Sequence, residues 1–116
     1  MTAEIKMLPT QEQPYARIAV IGGGAWGTAL ASVAAKAGRA VQLYARDRAT
    51  VRSINSSHVN AKYLPEIALP PSLTATDDLE VALNGADAVL LVVPSGAVRA
   101  MASRISGLVK HGTPVA

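Results

Sequence analysis

Apolar positions along the chain alternate between two rhythms. Arg17–Ile21 is apolar after its first residue, and 88–93 (Ala-Val-Leu-Leu-Val-Val) is a continuous β-branched run. Runs without polar alternation predict strands buried on both faces. Ala40–Tyr44 and 73–76 predict two further short strands. Between these runs the spacing becomes helical. Trp26, Ala29, Leu30, Val33 and Ala37 fall at i, i+3, i+4, i+7 and i+11, the apolar face of one helix, and Gly38 stands where a C-cap glycine belongs. Asp47 is placed to cap a second helix running to about Asn55, and Asp77 or Asp78 a third that reaches Asn84 and ends at Gly85. After Pro94, Ser95 is placed to cap a fourth, with Val98, Met101, Ala102 and Ile105 as its apolar face. Val115-Ala116 reads as a fifth strand cut off after its first residues.

Strands alternating with helices in this order predict an α/β fold with a doubly wound parallel sheet, truncated in or after the fifth strand. Residues 1–15 carry Pro9 and Pro14 and no clear period, which predicts a flexible N-terminal extension ahead of one domain at 16–116. Residues 56–71 form a long irregular stretch with Pro65, Pro70 and Pro71, and a loop of that length inside a compact domain is usually functional or mobile.

Composition narrows the picture. Half the residues are apolar but Phe is absent and aromatics are 3%, so the core is built from Ala, Val, Leu and Ile, which suits close helix-on-sheet packing. The net charge of +3 comes without a dense basic block, so no nucleic-acid role is expected, although a basic site for phosphate is compatible with it. There is no cysteine, hence no disulfide, thiolate metal site or cysteine nucleophile. No signal pattern and no bilayer-spanning run appears. A cytoplasmic protein is expected. His58 and His111 have no metal-ligand partners nearby and read as surface residues, so no metal site is expected.

The candidate chemistry begins where the first strand stops. Gly22, Gly24 and Gly27 fit G-x-G-x-x-G between a strand and a helix, with a second strand following. In that pattern the first glycine permits the tight turn. The second lets a pyrophosphate approach the backbone, and the third lets helix and strands pack closely. The free amides and dipole of the helix N-terminus then attract the anion. Trp26, inside the motif, could cover a cofactor, line a domain crevice or simply pack. Beyond the second strand, an acidic residue would bind the adenosine ribose. Here Arg46 stands near that point and could stack on adenine or pair with a 2′-phosphate, while Asp47 could accept from a ribose hydroxyl. Arg48 and Arg52 either add positive potential or form a solvated helix face. Val93-Pro94-Ser95 ends the fourth strand on the same carboxyl edge as Gly22, so Pro94 can contact the nicotinamide side of a cofactor or merely end the strand. No acid–base or nucleophile set can be assembled, so no catalytic residue is assigned. The residues alone describe a dinucleotide-binding module, for hydride transfer or for sensing without catalysis.

At Gly22-Gly-Gly-Ala-Trp-Gly-Thr-Ala-Leu, at Asn60-Ala-Lys-Tyr-Leu-Pro followed by Leu69-Pro-Pro, and at Ala86-Asp-Ala-Val-Leu-Leu-Val-Val-Pro-Ser, the chain resembles NAD(P)-dependent glycerol-3-phosphate dehydrogenase, the bacterial type more closely. The resemblance implies a Rossmann-like cofactor domain of an oxidoreductase that interconverts dihydroxyacetone phosphate and sn-glycerol 3-phosphate for glycerophospholipid synthesis. By position, Gly22, Gly24, Ala25, Trp26 and Gly27 match its pyrophosphate loop, Arg46 its adenosine-side contact, and Pro94 lies beside the nicotinamide; the cofactor is NADP or NAD. The family's catalytic lysine and helical substrate domain have no counterpart in these 116 residues, so the chain alone is expected to be inactive and its substrate to be held mainly elsewhere. A regulatory dinucleotide sensor and another dehydrogenase of the same superfamily, such as a ketopantoate or 3-hydroxyacyl-CoA type, are the alternatives. An unpaired sheet edge predicts a homodimer.

Overall fold

The computed structural model describes residues 16–110 and 112–116. The expected N-terminal extension and His111 lie outside them. Four parallel strands form one sheet: β1 (Arg17–Ile21), β2 (Ala40–Tyr44), β3 (Thr74–Thr76) and β4 (Ala88–Leu91), in the spatial order β3-β2-β1-β4. Ile18 pairs with Val41 on one side and Ala88 on the other, so β1 is central. Val115 bridges Val89 in parallel, and Ala116 donates from its backbone to the Val89 carbonyl at 2.9 Å, so the expected fifth strand starts beside β4. The fold is the doubly wound α/β arrangement.

Helices α1 (Ala25–Lys36), α2 (Arg48–Ser57), α3 (Leu79–Leu83) and α4 (Val98–Ser106) cover the sheet. Val20, Val41 and Leu43 pack with Ala31 and Ala35 of α1, Ile54 of α2 and the loop residues Leu69 and Leu73. The alternate residues Ala19, Ile21 and Val89 pack on the other face with Leu79 and Leu83 of α3 and Met101 and Ile105 of α4. Both faces of β1 are therefore buried, which is why it shows no polar alternation.

Several details differ from the pattern-based expectation. Helix α1 buries Gly27, Thr28, Ala31, Ser32 and Ala35, while Trp26, Leu30 and Val33 face outward at 77%, 42% and 65% exposure. The cause is close approach. A Cβ on Gly27 would stand 1.9 Å from the Gly22 carbonyl oxygen, so the helix lies too near the strands for large side chains beneath it. Asp47 and Asp78 cap α2 and α3 as expected, but α2 runs on to Ser57. Ser95 caps nothing: it opens a 3₁₀ turn (Ser95–Ala97), and α4 begins without a side-chain cap. On α4 only Met101 and Ile105 are buried, whereas Val98 and Ala102 are exposed. β4 ends at Leu91, two residues short of the apolar run, although the Val92 amide still donates to the Ile21 carbonyl at 2.8 Å.

His58 is not a plain surface residue. It ends α2 in the left-handed conformation (φ 56°), and its Nδ1 is buried without a hydrogen-bond partner.

Candidate functional site

Because the strands are parallel, the segments following β1, β2 and β4 emerge on one edge. The turn after β1 is stitched to both neighbours: the Gly22 amide donates to the Tyr44 carbonyl at 3.0 Å, and Val92 donates to Ile21. Gly22 has φ +136°, and a Cβ there would meet the Val92 carbonyl oxygen at 1.9 Å. Only glycine fits that turn. Gly24 contrasts with it. It N-caps α1 at φ −76°, and a Cβ built on it would find no atom within 4 Å. The space above Gly24 is open.

That space is a cleft of about 820 Å³ floored by Gly22, Gly23 and Gly24. Ala45, Arg46 and Asp47 form one wall, Val92, Val93 and Pro94 the opposite one, and Lys62 and Tyr63 reach in from the 58–73 loop. No side chain caps α1 and no acidic residue stands in its first turn, so its leading amides are unpaired and its positive dipole end is unopposed. An anionic group of dinucleotide size fits the volume, the glycine floor and the charge together.

The sequence-derived candidates separate here. Gly22, Gly24, Arg46 and Pro94 line the cleft. Gly27 is buried beneath it, and Ala25 and Trp26 are exposed on the first turn of α1 without lining it. Arg48 is held away by Asp77, Nε to Oδ2 at 3.2 Å, and neither it nor Arg52 faces the cleft. Asp47 is committed locally: Oδ1 accepts from the Ala49 amide at 3.0 Å, and Oδ2 from Thr50 at 3.2 Å and from Lys62 Nζ at 3.4 Å. The Ala49 amide, followed by Thr50 and Lys62, holds its carboxyl below the usual range despite some desolvation. Tyr63 first, then Asp47, raises the Lys62 ammonium above the ordinary lysine value, and its Nζ lies 5.3 Å from the Tyr63 ring centre. Asp47 is therefore paired with Lys62, while Arg46 stands exposed on the wall.

Asn60, Lys62, Tyr63 and Thr50 are the contributors that motif reasoning left without a role. The length of the 56–71 stretch and the Asn60-Ala-Lys-Tyr-Leu-Pro resemblance signal Asn60, Lys62 and Tyr63 without assigning them a role; Thr50, on α2, carries no signal. Asn60 is fully buried, and its Nδ2 donates at 2.8 Å to both the Gly23 carbonyl and Thr28 Oγ1. Among the described residues no group of three His, Asp or Glu could hold a metal, and no helix is long and apolar enough to cross a membrane.

A glycine-floored cleft at the carboxyl edge of a doubly wound sheet is common to many dehydrogenases, and comparison with known proteins narrows the choice. Residues 17–116 match the model of the NAD-dependent glycerol-3-phosphate dehydrogenase N-terminus. The chain belongs to that family. Relatives named glycerol-3-phosphate dehydrogenase [NAD(P)+] include one from Halorhodospira halophila, 52% identical over 77% of this chain and 27% of its own length. Another, from Rhodospirillum rubrum, is 56% identical over 71% of this chain and 24% of its own. The crystal structure of glycerol-3-phosphate dehydrogenase from Coxiella burnetii superposes with a TM-score of 0.80 at 36% identity, covering 88% of this chain and 31% of that one. The chain spans roughly a quarter of the length of these two curated relatives.

Proposed function

We propose that the chain binds NADPH or NADH in the cleft and forms the cofactor-binding part of a glycerol-3-phosphate dehydrogenase. The observation that carries this reading is the open space over Gly24 at the uncapped N-terminus of α1, bounded by Arg46 and Pro94. The pyrophosphate lies against Gly22, Gly24 and the helix dipole, at the turn whose outer residues are Ala25 and Trp26, with Gly27 beneath letting the helix come close. Arg46 takes the adenosine end, and Pro94 flanks the nicotinamide. When bound, the reduced cofactor would supply the hydride that turns dihydroxyacetone phosphate into sn-glycerol 3-phosphate and the oxidised cofactor would take it back in reverse; this chain binds and orients it. Residues acting on the substrate are assigned to the helical substrate domain that the resemblance implies, and a cytoplasmic location with no nucleic-acid role belongs to the same reading.

Arg46 reads the 2′-phosphate in this proposal, because Asp47 is already capped and paired. Arg46→Ala is expected to weaken NADPH binding about tenfold and NADH binding far less, as loss of a charge-assisted contact requires. Equal losses in the two titrations would reassign Arg46 to adenine stacking. An assay of the longer polypeptide with dihydroxyacetone phosphate and NAD(P)H tests the reaction itself, and no cofactor oxidation would contradict it. The outer edge of β3, which no strand pairs among the described residues, offers a homodimer contact. Sedimentation is expected to show a dimer growing with concentration, and a monomer throughout would contradict it.

A further inference from the structure

Asn60 has no place in the cofactor reading, yet its side chain makes three hydrogen bonds. It is fully buried. Both hydrogens of its amide are used, one on the Gly23 carbonyl across 37 residues of sequence and one on Thr28 Oγ1. Its Oδ1 accepts from the Tyr63 amide at 3.2 Å, and its carbonyl accepts from the Leu64 amide at 2.8 Å. One residue thus joins the middle of the glycine turn, the first turns of α1, and the loop carrying Lys62 and Tyr63. Gly23 packs directly against Ala45: a Cβ there would stand 2.5 Å from that of Ala45. Turn and loop are locked together at that point.

Resting on the cofactor reading above, we propose that Asn60 is a positioning residue: it latches the 60–64 loop to the glycine turn and so presents Lys62 and Tyr63 as a wall of the dinucleotide cleft. An amide is the side chain required. Two donors face two acceptors while one acceptor faces a donor, a pattern that Asp, Ser or Ala cannot reproduce. Losing a partner in a buried network is costly, because the groups left behind are unsatisfied.

The test is a double-mutant cycle on the full chain, read as NADPH affinity by calorimetric titration, with circular dichroism and melting temperature as folding controls. Asn60→Ser is expected to weaken NADPH about tenfold, and Lys62→Ala/Tyr63→Ala by a similar factor. Combined, they are expected to cost little more than either alone, because the latch acts only through the loop. Fully additive losses, or unchanged affinity in Asn60→Ser, would overturn the latch while leaving the cofactor reading intact. Failure of the wild type to bind NADPH would instead overturn the cofactor reading itself. If Asn60→Ser does not fold, Thr28→Val and Thr28→Ser replace it: the first, lacking the hydroxyl acceptor, is expected to lose affinity and the second to retain it. Equal affinity in both would refute the latch.

Discussion

Gly22, Gly24 and Gly27 share a motif but meet different demands. At Gly22 backbone conformation and space both forbid a side chain, and at Gly27 only space does. At Gly24 neither does, so the reason for glycine there has to be sought in a ligand. Asp47 couples this site to acid pH. Its folded pKa is depressed, chiefly by the Ala49 amide. Its stabilising contribution is therefore complete above the ordinary aspartate value and is lost as pH falls through the lower folded one. Asn also caps helices, so Asp47→Asn removes the charge and keeps the cap. The variant is expected to melt at most about 2 °C below wild type at neutral pH, since Lys62 is exposed and Asp47 partly so. Melting curves taken from pH 7 downward should show that gap closing below about pH 4. A gap that widens in acid would contradict this role.

Helix α1 shows what packing adds to pattern. Its apolar stripe points away from the sheet, because the glycine turn draws the helix so close that only Gly, Ala, Ser and Thr fit beneath. Ala31→Leu, although favourable to a helix, is expected to destabilise by about 1–3 kcal/mol through overpacking. Val33→Gln is expected to change stability by less than about 0.5 kcal/mol. Denaturant midpoints of the two variants check this, and the reverse order would contradict the placement of α1. The central strand β1, by contrast, is legible in the sequence: burial on both faces leaves an uninterrupted apolar run that ends at the glycine turn. The caps at Asp47 and Asp78 are legible for the same local reason. Helix orientation is not, because hydrophobicity marks a face without saying which way a close-packed helix turns.

At the scale of the molecule, parallel strand order brings the ends of β1, β2 and β4 to one edge, and the cleft follows from it. Gly22, Gly24, Arg46 and Pro94 meet there because each directly follows a strand or its turn, which is what made them readable from sequence. Lys62 and Tyr63 reach the cleft through a loop that has no period, and the buried Asn60 of that loop bonds a backbone carbonyl 37 residues away. No local signal encodes such a contact. The measurement that tests the account most directly is titration of wild type and Gly24→Ala with NADPH, alongside their melting curves. Wild type is expected to bind one NADPH per chain. Gly24→Ala is expected to melt within a degree or two of wild type, since its methyl enters open space, and to lose at least about tenfold in affinity as that methyl meets the pyrophosphate. Binding unchanged in Gly24→Ala, or absent in wild type, would contradict a cofactor held over the glycine turn.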